Sequence, residues 1–143
     1  MPLLQLIYAS QPFGFDDLTL AGILSAAQRN NSRDGITGAL ICREDLYMQL
    51  LEGEEVAVEA AYERIRRDNR HGEIKKLFSE KPSARLFPTW AMRHDPAKSW
   101  MWTIDEVSAG AVARVTPQQA LAVFTRLAGE NPGPKSVQLV SSR

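Results

Sequence analysis

ITGALICREDLYMQLLEG, residues 36–53, is the stretch of sequence that decides the fold. Two apolar runs, Ile36 to Arg43 and Leu46 to Glu52, flank a short polar link, an arrangement typical of a β-hairpin. Gly38 lies inside the first run and indicates that another group approaches the backbone closely there. The stretch therefore predicts two neighbouring antiparallel strands.

The segment before the hairpin is predicted to contain a strand and a helix. Leu3 to Ser10 is a short apolar run that ends in turn residues, which is typical of a strand. Asp16 or Asp17 can then cap a helix. The apolar stripe of this helix has the spacing i, i+4, i+7 and i+11 and consists of Leu20, Leu24, Ala27 and Asn31. An amide side chain therefore ends an apolar stripe.

The segment after the hairpin predicts a second helix and two more strands. Residues 54–69 place Val58, Tyr62 and Ile65 at helical spacing, with glutamates early and arginines late, which favours an amphipathic helix aligned with its own dipole. Strands are expected at residues 74–80 and 86–92, and Pro88 suits an edge position or a bulge better than a central one.

The resulting order, β-α-β-β-α-β-β, predicts an α+β fold. Its first six elements match the ferredoxin-like arrangement, an antiparallel sheet with both helices packed on one face. The fifth strand is an addition to that arrangement. Beyond Asp95 the composition changes and predicts a C-terminal helical extension, in which residues 116–119 form a capping box for a helix that runs to about Ala128.

Composition and charge exclude several classes of protein. The 143 residues contain 17 basic and 17 acidic side chains, so bulk charge gives no reason to expect nucleic acid binding. Cys42 is the single cysteine and cannot form an intramolecular disulfide, and the first residues lack the pattern of a secretory signal. The apolar runs are far shorter than the roughly 20 residues of a membrane helix. We expect a cytoplasmic protein that does not enter membranes.

The common catalytic patterns are missing from the sequence. There is no Gly-rich phosphate loop, zinc-protease motif, CxxC pair or Gly-x-Ser-x-Gly elbow, and the two histidines, His71 and His94, are not gathered with carboxylates at one site. An acylphosphatase-like hydrolase on the same sheet would need an arginine after the first strand, where residues 10–14 contain none. We therefore predict a protein that is not an enzyme and holds no metal.

Polar residues stand where the apolar pattern predicts core. Tyr8 lies in the first strand, Asn31 closes the stripe of the first helix, and Gln49 interrupts a strand. Each alone is compatible with an edge-facing polar residue, but together they favour a polar ligand, since an unpaired buried amide costs about 1–3 kcal/mol. Arg70 and His71 either complement the end of the second helix or offer charge-assisted bonds to a ligand oxygen.

Five stretches of the sequence also follow one another in the order of a known family. They are Leu6-Ile7-Tyr8-Ala9-Ser10, Gln28-Arg29-Asn30-Asn31 with Asp34-Gly35-Ile36-Thr37-Gly38, Tyr47-Met48-Gln49-Leu50-Leu51-Glu52-Gly53, Ile65 with Asp68 and Arg70-His71, and Arg85-Leu86-Phe87-Pro88-Thr89-Trp90-Ala91-Met92. The chain resembles the BLUF domains, sensors of blue light using FAD, in their short single-domain form, over roughly residues 3–93. The resemblance implies a photosensor domain at residues 1–95 and a helical cap at 96–130. Residues 131–143 contain Pro132, Gly133 and Pro134, and this composition predicts a flexible tail.

The resemblance implies a non-covalently bound flavin between the two helices. FAD is expected, with FMN or riboflavin as substitutes. Asn31 would bond the polar edge of the ring, Ile23 and Ile65 would sandwich it, and other polar side chains would surround the remaining oxygens. The cofactor-binding set that we predict is Tyr8, Ile23, Asn30, Asn31, Gln49, Arg64, Ile65, Asp68, Arg70 and His71.

The resemblance also implies a light-driven switch. In such proteins, light drives an electron and a proton from the tyrosine, here Tyr8, to the flavin, and the glutamine, here Gln49, rearranges. A changed hydrogen bond to the flavin C4 carbonyl persists, shifts the absorption to the red and is relayed to the fifth strand, where Trp90 and Met92 fit the relay position. We expect the signal to pass on through the C-terminal helices.

The receiver of this signal is expected to be a separate protein, such as a cyclic-nucleotide enzyme or a response regulator. A homo-oligomer is expected as well. The alternative from the residues alone is a flavin-free dimeric regulator in which Trp90 and Trp100 form the contact.

Overall fold

A computed structural model describes residues 3–12, 17–43, 45–67, 71–88, 90–96, 100–130 and 137–138. The strands are β1 (Leu3–Pro12), β2 (Thr37–Arg43), β3 (Leu46–Glu54), β4 (His71–Glu80), β5 (Trp90–Pro96) and β6 (Val137–Gln138). The helices are α1 (Asp17–Asp34), α2 (Glu55–Arg66), α3 (Ile104–Ser108) and α4 (Pro117–Ala128), with a 3-10 turn at Ala111–Arg114 between the last two.

The strands form one sheet in the order β4-β1-β3-β2-β5-β6. The first four strands in this order are antiparallel, as the ferredoxin-like prediction requires, and the β2–β3 hairpin is confirmed. The added strand β5 lies beside β2 and runs parallel to it, with Ala39 opposite Arg93. The short strand β6, which falls in the segment predicted as a tail, pairs with β5 in the antiparallel sense.

The fifth strand begins later than the sequence predicts. Residues 86–88 are bends and a turn, and β5 starts at Trp90 instead of Leu86. The backbone N–H groups of Leu86 and Phe87 donate to the side chain of Glu52, at 2.7 and 2.8 Å, so neither can bond a neighbouring strand. Pro88 accordingly lies outside the strand and needs no edge position.

Each face of the sheet carries its own apolar core, because side chains alternate between the two faces along a strand. The core on the face that carries α1 and α2, called here the helix face, contains Leu4, Leu6, Tyr8, Leu40, Leu51, Val58, Ala61 and Tyr62, with Ala27 of α1 packed against it. The core on the opposite face, called here the cap face, contains Ile7, Ala9, Ile41, Met48, Leu50, Ala120, Val123, Phe124 and Leu127. Helix α4 therefore covers the side of the sheet that α1 and α2 leave open.

Close strand packing explains the glycine in the first arm of the hairpin. A Cβ built on Gly38 would lie 1.9 Å from the backbone oxygen of Leu50 on β3. No side chain fits at that distance, so the close approach expected from the sequence is confirmed.

The C-terminal extension contains the predicted capping box. Thr116 accepts from the backbone N–H of Gln119, whose side chain accepts in return from the backbone N–H of Thr116, and α4 ends at Ala128 as expected. Upstream of α4, the Arg43 guanidinium donates to the carbonyl oxygen of Trp102 at 2.9 Å. This bond ties the start of the extension to the end of β2. Among the described residues, no helix is long and apolar enough to cross a membrane.

Candidate functional site

The centre of the helix face holds a buried pair of polar side chains. Tyr8 of β1 lies directly opposite Gln49 of β3 in the antiparallel register. The Tyr8 hydroxyl donates a hydrogen bond to Oε1 of Gln49, and the two residues are 1% and 3% exposed. Because β1 and β3 are the inner strands of the four-stranded part and α2 packs on both, this pair is shielded from water.

A second tyrosine lies beside this pair. The ring of Tyr62, on α2, has its centroid 5.8 Å from that of Tyr8 at an interplanar angle of 50°. The Lys76 ammonium lies 5.1 Å from the centre of the Tyr62 ring. Burial raises the pKa of the Tyr62 phenol, and the nearby Arg66 opposes this effect. Sequence reasoning treated Tyr62 only as part of an apolar stripe; its spacing from Ile65 placed it on the correct face but gave no sign of the contact with Tyr8.

Helix α1 brings a third buried polar side chain to the helix face. Asn31 is 3% exposed, whereas its neighbour Asn30 is half-buried. Asn31 follows Ala27 by four residues, and Ala27 packs against the helix-face core, so both point from α1 toward the sheet. The backbone carbonyl of Asn31 accepts a hydrogen bond from the backbone N–H of Ile36 at 2.9 Å, and this bond fixes the end of the helix. The side-chain amide of Asn31 therefore lies on the same side of the sheet as Tyr8 and Gln49.

The ends of the two helices are joined by an ion pair. The Arg64 guanidinium of α2 lies 3.3 Å from Oδ2 of Asp34, the last residue of α1. A hydrogen bond from Arg33, together with the charges of Arg33 and Arg64, holds the pKa of the Asp34 carboxyl below its usual value, although partial burial acts in the opposite direction. Arg64 thus contacts protein, and its predicted flavin contact stays a prediction.

The remaining predicted site residues are described only in part. Ile65 is half-buried and packs against the helix-face core. Asp68 and Arg70 lie outside the described residues, as do the side chains of Ile23, His71, Trp90 and Met92. For these four the backbone is placed: Ile23 lies in α1, His71 begins β4 opposite Pro12, and Trp90 and Met92 lie at the start of β5, paired with β6.

Comparisons with known proteins agree with this geometry. A family model described as BLUF, Sensors of blue-light using FAD, matches residues 3–93. The Photoactivated adenylate cyclase subunit beta of Euglena gracilis is 30% identical over 102 residues, which are 71% of this chain and 11% of that protein. The Blue light- and temperature-regulated antirepressor BluF of Escherichia coli (strain K12) is 37% identical over 65 residues, which are 46% of this chain and 16% of that protein. The chain thus spans about a tenth of the cyclase subunit's length.

Solved structures match over nearly the whole chain. The structure "BlsA photo-activated state" has a TM-score of 0.76 and 28% sequence identity, and the match covers 92% of this chain and 98% of that one. The structure "BlrB - a BLUF protein, dark state structure" has a TM-score of 0.73 and 28% identity, with 90% and 96% covered.

The sheet, its two helices and the buried tyrosine–glutamine pair define a small sensory α+β domain. The chain belongs to the BLUF family and is a blue-light sensor that uses a flavin, FAD, as its chromophore.

The residues on the helix face suit a flavin. The polar edge of a flavin ring offers an N–H donor beside carbonyl and imine acceptors. A phenol and two amides, here Tyr8, Gln49 and Asn31, are buried on one face, and an amide can donate and accept at the same time. Helix α2 packs on β1 and β3, the strands that carry Tyr8 and Gln49, and on β4, whereas α1 contacts β5 and carries Asn31. The donor set therefore fits the cofactor of the family.

Proposed function

We propose that this chain signals blue light by rearranging the hydrogen bond between Tyr8 and Gln49. The single observation that carries the proposal is the direct bond from the Tyr8 hydroxyl to Oε1 of Gln49 in a buried position. A hydrogen bond in such a site is electrostatically stronger than in water, and it has no water to exchange with. Its two arrangements can therefore persist as distinct states.

The flavin, when bound, absorbs blue light and accepts an electron in its excited state. The proposed role of Tyr8 is to give up an electron to the flavin together with its hydroxyl proton, for which Oε1 of Gln49 is the immediate acceptor. Both would return to Tyr8 as the flavin becomes oxidised again, so that only the hydrogen-bonding pattern remains changed. The amide of Gln49 now turns its oxygen to Tyr8; after rotation about its last bond it would turn its NH₂ group there instead. Such a reversal changes the hydrogen-bonding pattern without requiring the backbone to move, and it makes the glutamine a bistable element.

Binding of the flavin is assigned by this proposal to the residues around the pair. Its polar groups would be held by Asn31 and Asn30 of α1, by Arg64 of α2, and by Asp68, Arg70 and His71, which follow α2 in the sequence. The apolar side chains of Ile23 and Ile65 would lie against its ring. FMN or riboflavin would occupy the same place, because the assigned contacts involve the ring and not the adenine.

The output is proposed to pass through β5, at Trp90 and Met92, and the C-terminal helices to a separate protein. The names of two relatives support an output of this class, since they join light sensing to an adenylate cyclase or to an antirepressor. In this proposal the chain itself catalyses no reaction, works as a homo-oligomer in the cytoplasm, and acts on a cyclic-nucleotide enzyme or a response regulator. A light switch can bias such a partner only by the difference in affinity between its two states.

The test of the proposal is the absorption spectrum of the purified chain in darkness and under blue light. A yellow protein whose flavin band moves reversibly to the red would support it. A colourless protein that takes up no added FAD would favour the flavin-free regulator instead, and a yellow protein with an unchanged band would contradict the switch. A pull-down from the native cell in both conditions then identifies the partner.

A further inference from the structure

Glu52 is a fully buried carboxylate that the light switch does not use. Its exposure is 0%, and it lies on β3 three residues beyond Gln49. Because side chains alternate along a strand, residues three apart point to opposite faces, so Glu52 lies on the cap face while Gln49 lies on the helix face. One strand thus carries the proposed switch on one side and a buried charge on the other.

The carboxylate accepts hydrogen bonds at both oxygens. Nε2 of Gln5, the residue opposite on β1, donates to Oε2 at 2.6 Å. The backbone N–H of Leu86 donates to the same oxygen at 2.7 Å, and the backbone N–H of Phe87 donates to Oε1 at 2.8 Å. Bonds of this length to an ionised acceptor are the strong, directional kind. They fasten the segment between β4 and β5 to strand β3.

Arg85 adds a second fastening at the same place. Its guanidinium donates to Oγ1 of Thr37 on β2 at 2.9 Å and to the backbone carbonyl of Glu52 at 3.3 Å. Thr37 lies opposite Glu52 in the hairpin register. Residues 85–87, called here the latch segment, are therefore held by β2 and β3 together.

The latch segment also contacts the C-terminal helix. Phe87 is 2% exposed, and its ring meets that of Phe124 on α4 edge to face, with centroids 6.5 Å apart at 89°. Phe124 is itself fully buried in the cap-face core. A continuous series of contacts thus runs from β3 through Glu52 and Phe87 to α4, without passing along β5.

We propose that Glu52 is a positioning residue that couples the state of β3 to α4 through the latch segment. The inference rests on the proposed function, because it needs Gln49 to change state under light. A change in the twist or position of β3 around Gln49 would move the Glu52 carboxylate, and the two successive backbone amides that it binds must follow or lose their bonds. Phe87 then passes the displacement to α4, because a close-packed protein interior has low compressibility and transmits strain.

The test compares hydrogen–deuterium exchange of the flavin-loaded full chain in darkness and under blue light. The Glu52→Gln variant keeps the size of the side chain but places an NH₂ group against one of the two backbone amides. We expect it to bind FAD and to show the normal red shift, because its changes lie on the other face from Gln49. The difference in exchange between light and darkness over residues 117–128, present in the wild type, should be lost.

Two further variants make the result specific. Glu54→Gln removes an exposed carboxylate two residues along the same strand and should leave the light-induced exchange difference unchanged. Phe87→Leu keeps the backbone bonds to Glu52 but removes the ring contact with Phe124, so residues 85–88 should still respond to light while α4 should not. This variant decides the matter if Glu52→Gln does not fold.

The outcomes separate this inference from the function on which it rests. A wild type without a red shift would overturn both. A wild type with a red shift but without any exchange difference in α4, or a Glu52→Gln or Phe87→Leu variant in which that difference survives, would overturn the coupling alone. Loss of the α4 response with a normal red shift supports it.

Discussion

Tyr8 and Gln49 face each other across β1 and β3, and the hydroxyl of the tyrosine donates to Oε1 of the glutamine. The register of the two central strands therefore sets the contact. A shift of one residue in either strand would turn one partner to the cap face and separate the two side chains. The many buried apolar residues that flank the pair on both strands resist such a shift.

Removal of the Tyr8 hydroxyl should abolish the light response but not the binding of flavin. Tyr8→Phe keeps the ring and its packing, yet it takes away the donor to Gln49. We expect a yellow protein without a light-induced red shift and a free energy of unfolding lowered by about 1 kcal/mol, the usual net worth of one hydrogen bond. Absorption spectroscopy and denaturant unfolding measure the two effects.

Gln49→Ala should give the same spectroscopic result from the other side of the bond. Tyr62→Phe is the matched control. It removes the hydroxyl of a tyrosine whose ring centroid lies 5.8 Å from that of Tyr8, and it leaves the Tyr8–Gln49 bond in place. A normal red shift in Tyr8→Phe, or its loss in the Tyr62 control as well, would contradict the assignment of the switch to this pair.

Asn31→Ala should weaken flavin binding. The variant removes a buried amide whose proposed partner is the polar edge of the ring, and a lost buried hydrogen bond of about 1–3 kcal/mol corresponds to a rise in Kd of about 5- to 150-fold. Titration of the apoprotein with FAD measures the change. The exposed neighbour supplies the control, since Ser32→Ala alters the same helix without touching the helix face; equal Kd values for the two variants would refute the role of Asn31.

Local signals made much of the fold predictable. The hairpin is marked by two apolar runs around a polar link, and the start of α4 by a capping box, so both were found at nearly the correct residues. The predicted start of β5 was wrong by four residues. The backbone N–H groups of Leu86 and Phe87 bind the side chain of Glu52, more than thirty residues away in the sequence, instead of a neighbouring strand. Propensity within a short window carries no information about such a partner.

The site was predictable to the extent that residue type revealed it. Tyr8, Asn31 and Gln49 stood out as polar residues in apolar patterns, and all three are buried on the helix face. Glu52 and Tyr62 did not stand out as functional candidates. Their contacts depend on strand register and on the distance between α2 and β1, which only tertiary structure fixes.

Gly38→Ala should destabilise the sheet strongly. The added methyl would meet the carbonyl oxygen of Leu50 at 1.9 Å, and backbone atoms in the middle of a sheet cannot move aside as a flexible side chain would. We expect a loss of about 3 kcal/mol, the upper end of the usual cost of overpacking. Gly129→Ala is the control, because the nearest atom to its new Cβ is 3.6 Å away; a change within about 0.5 kcal/mol is expected there. Similar unfolding midpoints for the two variants would contradict the clash.

Asp34 presents two opposing electrostatic effects that a pH series can separate. It is the last residue of α1, where the helix dipole disfavours a carboxylate. Arg33 and Arg64 approach it within 2.9 and 3.3 Å and favour the charged form. The hydrogen bond from Arg33 and the charges of Arg33 and Arg64 lower the pKa of Asp34 in the folded protein, against the opposing effect of partial burial. A carboxyl with a lowered folded pKa stabilises the protein above its unfolded pKa, and this contribution disappears as the pH falls through the folded value.

Asp34→Asn should therefore be less stable than the wild type at neutral pH. The difference should begin to shrink as the pH falls to about 3.9, the ordinary pKa of an aspartate, and should vanish below the lowered pKa of the folded state. The effect should be small and should weaken with added salt, because Arg33 and Arg64 are largely exposed. Denaturant unfolding across the pH range measures it, with Glu59→Gln as the control for the loss of one exposed carboxylate from the neighbouring helix. If the dipole were the stronger influence, Asp34→Asn would be the more stable protein at neutral pH, and the sign of the difference alone would decide between the two.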